Sequence, residues 1–114
     1  MPMTFIPMNL RCSLVMLLLA AVAWAAEVPV AYTQHCANCH GADGRGKTAS
    51  AAKMAMPNLR SPQVQEMSDS DLYETIARGS KHRAYPHAYL YRGMKEKEIR
   101  ELVLYIRTFS PTPK

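Results

Sequence analysis

The stretch "QHCANCHG", Gln34 to Gly41, constrains this chain most, because two thiols and an imidazole stand within five positions of one another. On a helix, Cys36 and Cys39 are three apart and His40 is four from Cys36. All three side chains then leave nearly the same face. Such a face can be bonded to the edge of a flat ring system and also reach its centre. Other uses of the same residues fit less well. A zinc site normally takes four protein ligands, and no second Cys or His pair follows at matching spacing. A thioredoxin-type redox pair wants a βαβ setting, which the sequence does not offer. A disulfide closing so short a loop would restrict the unfolded chain little.

The third cysteine, Cys12, belongs to a different kind of segment. "MPMTFIPMNLR" ends in the single charge Arg11, "CSLVMLLLAAVA" is an apolar run short for a bilayer span, and "AWA" supplies small residues at Ala23 and Ala25. That order predicts a secretory signal peptide over residues 1–25, cleaved after Ala25, in place of a retained membrane anchor. Cys12 lies at the start of the apolar run, not where a lipoprotein cysteine sits, and leaves with the leader. The expected mature chain, residues 26–114, is exported to the periplasm with no stable membrane insertion and forms one domain. A chain this short buries a modest core and commonly depends on a staple, a metal or a cofactor.

The mature chain reads as all-α. "PVAYTQHCANCH" predicts a short helix with Pro29 in its first turn, ending at Gly41, and "GADGRGK" predicts a tight loop. "TASAAKMAMPNL" is mixed: alanine and methionine favour helix, and Pro57 stops it. "MSDSDLYETIARGS" carries a helix start at Ser68, acids suited to the first turn at Asp69 and Asp71, and a stop at Gly79. "KHRAYPHAYLYRG" has no sustained period and reads as loop. In "EKEIRELVLYIRTF" the residues Ile99, Leu102, Val103 and Ile106 form one apolar stripe, extended by Phe109. About four short helices joined by long loops result. Their stripes are too few to fill a core alone.

Removing the leader takes Arg11 with it and leaves thirteen basic against nine acidic side chains, a net charge of +4. The surplus concentrates between Arg78 and Arg107. It fits an acidic protein partner or a plain solvated surface, and export disfavours nucleic acid.

The pattern Cys-x-x-Cys-His is the attachment signature of c-type haem, with two thioethers from the cysteines and the histidine on iron. "YTQHCANCHGADGRG", "MPNL", "SDSDLYETIARGS" and "KEKEIRELVLYIRTF" then resemble, in order, the motifs of a class I monohaem cytochrome c over essentially the whole mature chain. The resemblance implies that fold, wrapped around one covalent haem c. Cys36 and Cys39 would be the thioether cysteines and His40 the proximal iron ligand. Pro57 would offer its carbonyl to the His40 Nδ1–H, Leu59 would pack on the haem, and Tyr32 with Leu102 and Ile106 would mark the crossing of the first and last helices.

One position departs from the family. Its loop before the last helix offers Met-Pro, with the methionine sulfur as sixth ligand. This chain has Tyr85 there, and Met94 where a leucine is usual. His87, His82, Met94 and Tyr85 are the candidates for the sixth position, beside an open site. The expected function is a periplasmic electron carrier that is not itself an enzyme, exchanging single electrons with partners bearing acidic docking surfaces, denitrification being one plausible setting. The alternatives are a haem protein whose open or weakly held sixth site binds small ligands or performs peroxidase-like chemistry, and an accessory cytochrome in cofactor assembly. Gly79 and Gly93 flank the sixth-ligand loop and suggest a domain-swapped dimer.

Overall fold

The computed structural model describes residues 26–54, 56–79 and 87–111. The predicted leader, residues 1–25, and the candidates His82 and Tyr85 lie outside the described residues. The fold is all-α. Five α-helices form among the described residues: α1 Val30–His35, α2 Ala37–His40, α3 Pro62–Gln65, α4 Asp69–Arg78 and α5 Glu96–Arg107. Single 3-10 turns lie at Ala51–Lys53 and Tyr89–Arg92.

The single helix expected across the Cys-x-x-Cys-His segment is two. Pro29 stands at the N-cap with ψ 137°, just outside the first turn, and Cys36 interrupts the helix with φ −114°. The break is a kink more than an end, since the Cys36 N–H still donates to Tyr32 O at 2.9 Å and His40 N–H to Cys36 O at 2.8 Å. Gly41 then turns the chain with φ 80° and ψ 160°. The carbonyls left over at the end of α2 are taken up by the next loop. Gly46 N–H donates to His40 O at 2.8 Å, and the Thr48 hydroxyl donates to Cys39 O at 2.9 Å. A helix end needs such partners, and here they fix the loop against the motif.

The later helices start and stop where the sequence predicts. The Ser68 hydroxyl accepts from the Asp71 N–H at 3.0 Å, and Gly79, at φ 69° and ψ 29°, closes α4. At α5 the Lys95 N–H donates to the Glu98 carboxylate at 2.8 Å. Two elements were not expected. The four-residue α3 begins with Pro62, a residue suited to a first turn, and the 3-10 turn at Tyr89–Arg92 falls in a stretch read as loop.

The hydrophobic cluster joins α1, α4 and α5, with Tyr32, Ile99 and Leu102 among the fully buried side chains. Tyr32 meets Tyr105 edge-on at 4.8 Å between ring centres, and Phe109 lies 5.8 Å from Tyr32 and 5.1 Å from Tyr105. This aromatic group makes the contact between the first and last helices. The buried Gln65 amide ties loop and helix together, donating to Leu59 O at 2.7 Å and Ile106 O at 3.0 Å.

Candidate functional site

These elements close around a cavity of about 670 Å³ instead of a solid centre. It is lined mainly by apolar side chains, among them Leu59, Val64, Leu72, Ile76, Leu102 and Ile106. Cys36 and His40 enter the same lining from the kinked segment, and Pro57 enters it from the loop after the 3-10 turn. Cys39 opens onto an adjoining cavity of about 200 Å³, which shares Cys36, His40, Met56, His87 and Tyr89 with the larger one. Of the three expected residues, the large cavity takes Cys36 and His40 in its lining, and Cys39 lines only the smaller neighbour. Cys36 and His40 line both cavities.

His40 is buried, and its ring centre lies 6.4 Å from that of His87, with the two ring planes only 11° from parallel. His87 lines both cavities. Met94 behaves differently. Its side chain is buried in the hydrophobic cluster and is not among the residues lining the cavity. The methionines that do line it are Met56 and Met67, neither of which the sequence pattern singled out. Tyr89 also reaches the site unannounced: it is buried, and its hydroxyl donates to His35 O at 3.1 Å. An aromatic residue in a stretch without period gave no signal of this.

The surroundings of Cys36 separate two chemistries. Burial, and secondarily the neighbouring Cys39, push the Cys36 thiol up to about 12. Redox-active cysteines are activated by a lowered pKa, so this environment is wrong for a thioredoxin-type pair. It is right for a neutral thioether. No disulfide joins the two cysteines. Among the described residues no group of three or more His, Cys, Asp or Glu side chains is arranged to hold a metal ion by itself.

The fold and the site define a small helical protein built around a largely apolar cavity, with a thiol and an imidazole in its lining. A family model described as cytochrome c matches residues 25–110, and the chain belongs to that family. No curated protein and no solved structure matches it. Family members bind haem c covalently and transfer electrons. The residues present fit the group. The cavity falls within the range of about 300–1,000 Å³ usual for small-molecule and cofactor sites. Its lining is largely apolar, with Cys36 and an imidazole at one side and Cys39 in the adjoining cavity.

Proposed function

We propose that the chain is a periplasmic electron carrier holding one haem c. Cys36 and Cys39 form the thioethers, and His40 is the proximal ligand. With haem bound, the Pro57 carbonyl would accept from the His40 Nδ1–H, a hydrogen bond that this structure does not contain; it would fix the ring and raise its basicity. Leu59 packs on the haem. When bound, the haem supplies a one-electron couple at its iron. The chain sets the potential of that couple through its ligands and its dry lining. The observation that carries this reading is the opening of Cys36 and His40, one helical turn apart, into an apolar cavity of about 670 Å³.

The partner surface is part of the proposal. Arg92 lines the small cavity beside Cys36 and Cys39 and lies with its guanidinium 4.6 Å from the Tyr89 ring centre. Lys95 is exposed three residues on. Positive charge beside the thioether edge suits an acidic partner and steers its approach. By contrast, Arg100 and Lys97 are occupied with Glu96 and Glu101 on the outer face of α5.

The test begins with the full chain produced in cells able to attach haem. A denaturing gel stained for haem, with a pyridine haemochrome spectrum, is expected to show a covalent c-type haem that the Cys36→Ala/Cys39→Ala double variant lacks. A colourless wild-type chain with reactive thiols would overturn the reading. Exchange with acidic redox partners should slow as salt rises. A rate indifferent to ionic strength removes the steering component alone.

A further inference from the structure

The geometry points to His87 as the second axial ligand of the haem iron, with its imidazole plane close to parallel with that of His40. This rests on the reading of Cys36, Cys39 and His40 as the attachment site. The two ring centres are 6.4 Å apart, so a point midway lies 3.2 Å from each. A metal–imidazole bond of about 2.0–2.1 Å, plus roughly 1.1 Å from ring nitrogen to ring centre, accounts for that distance. The two imidazoles therefore stand as far apart as two ligands sharing one metal ion.

A second observation concerns the backbone. Ala88, directly after His87, has φ 68° and ψ 40°, the sole positive φ outside glycine among the described residues. An alanine held there is strained, and such strain persists where neighbours over-determine the conformation, often at ligand-binding positions. The neighbours are visible. Buried Tyr89 is anchored through its hydroxyl to His35 O, and its carbonyl accepts from the Met94 N–H at 3.0 Å. The turn that begins at Tyr89 thus fixes the backbone that follows His87. The same packing keeps Met94 in the hydrophobic cluster. A second imidazole in place of a thioether sulfur gives the couple a lower potential, because the harder nitrogen donor favours ferric iron.

The test uses the haem-loaded full chain. The haemochrome spectrum is read first and reports on attachment alone. Electron paramagnetic resonance and near-infrared magnetic circular dichroism of the ferric protein then read the ligands. The expected result is a low-spin, bis-imidazole signature of the type given by nearly parallel rings, without a sulfur-to-iron charge-transfer band. In His87→Ala that signature should be lost, the ferrous protein should bind carbon monoxide rapidly, and free imidazole should restore the low-spin signal. His87→Met should raise the potential, and His82→Ala should leave the spectra unchanged. A sulfur band in the wild type, from Met56, Met67 or Met94, overturns the assignment. So does rapid carbon monoxide binding by the wild type, or a signature lost in His82→Ala and kept in His87→Ala. In each of those cases the haem is still attached. A colourless chain instead removes the attachment reading and the ligand together.

Discussion

Tyr32 shows how a single side chain supports the site. Its ring packs against Tyr105 and Phe109, it lines the cavity, and its hydroxyl donates to Gly41 O at 2.7 Å, just past the histidine. Burial, ahead of nearby Cys36 and Tyr105, pushes the phenol well above its ordinary range. The folded state therefore holds a proton that the unfolded chain releases near pH 10, so this stabilisation is complete below that pH and declines as pH rises beyond it. Tyr32→Phe should cost about 1 kcal/mol at neutral pH, from the lost hydrogen bond. Urea melts should show the gap between wild type and variant narrowing above about pH 10. A gap constant with pH would contradict it. Glycine gives a sharper contrast. A Cβ on Gly44 would stand 2.8 Å from Phe109 Cε2 at φ +75°, whereas one on Gly93, at φ +89°, would meet nothing within 4 Å. Gly93→Ala should cost about 1–2 kcal/mol from backbone strain, and Gly44→Ala about 2–4 kcal/mol because the clash adds to it. Equal losses in denaturant melts would show that Phe109 yields. The proposed attachment residues Cys36, Cys39 and His40 stand out in the sequence because their relation is local, a matter of one helical turn. His87 is one candidate among several there, because its direction depends on Ala88 adopting a positive φ and on Tyr89 finding His35 across the fold.

At the level of elements, the sequence announces α4 and α5 through their own residues. Ser68, Asp71 and Gly79 form the caps of one, and the stripe from Ile99 to Ile106 forms the buried face of the other. What it does not announce are the elements stabilised from outside. Helix α3 is four residues long and survives because the Gln65 amide is buried between Leu59 and Ile106. Isolated helices so short are not stable, so no local propensity could have disclosed it. The kink at Cys36 is similarly invisible in a sequence that reads as one helix. Arg107 ties the end of α5 to the segment between α3 and α4. Its guanidinium donates to Gln65 O at 2.8 Å, to Met67 O, and to the Asp69 carboxylate at 2.8 Å. The two carbonyls are the important acceptors, because Asp69 is largely exposed and exposed ion pairs contribute little. Arg107→Ala should lower stability by about 2–3 kcal/mol, and Asp69→Ala by less than about 1 kcal/mol. Similar losses from the two changes, measured in urea melts of the haem-loaded protein, would instead give the ion pair the main role.

For the whole molecule, the decisive feature is that the apolar stripes pack on one another along one side and line a space along the other. Leu72 and Ile76 from α4, with Leu102 and Ile106 from α5, all turn toward a cavity of about 670 Å³. An empty cavity costs roughly 24 cal/mol per Å³, which for a closed void of this size comes to about 16 kcal/mol. That equals or exceeds the whole stability of an ordinary domain, about 5–15 kcal/mol. The cavity is partly open, and water entering it lowers the figure, yet even a third of it, about 5 kcal/mol, is comparable with the lower end of that range. Filling the space should therefore stabilise the fold, and the proposed covalent staple would make the filling permanent. The Cys36→Ala/Cys39→Ala chain, produced without attached haem, should therefore show no cooperative thermal transition by far-ultraviolet circular dichroism, while the loaded chain melts in a single step. Added free haem should restore part of the transition, because the apolar walls and His40 remain available to bind it. A haem-free chain melting cooperatively within a few degrees of the loaded protein would mean that the helices collapse on one another. In that event the cavity would belong only to the loaded state, and aromatic contacts such as that of Tyr32 with Tyr105 would suffice to hold the fold.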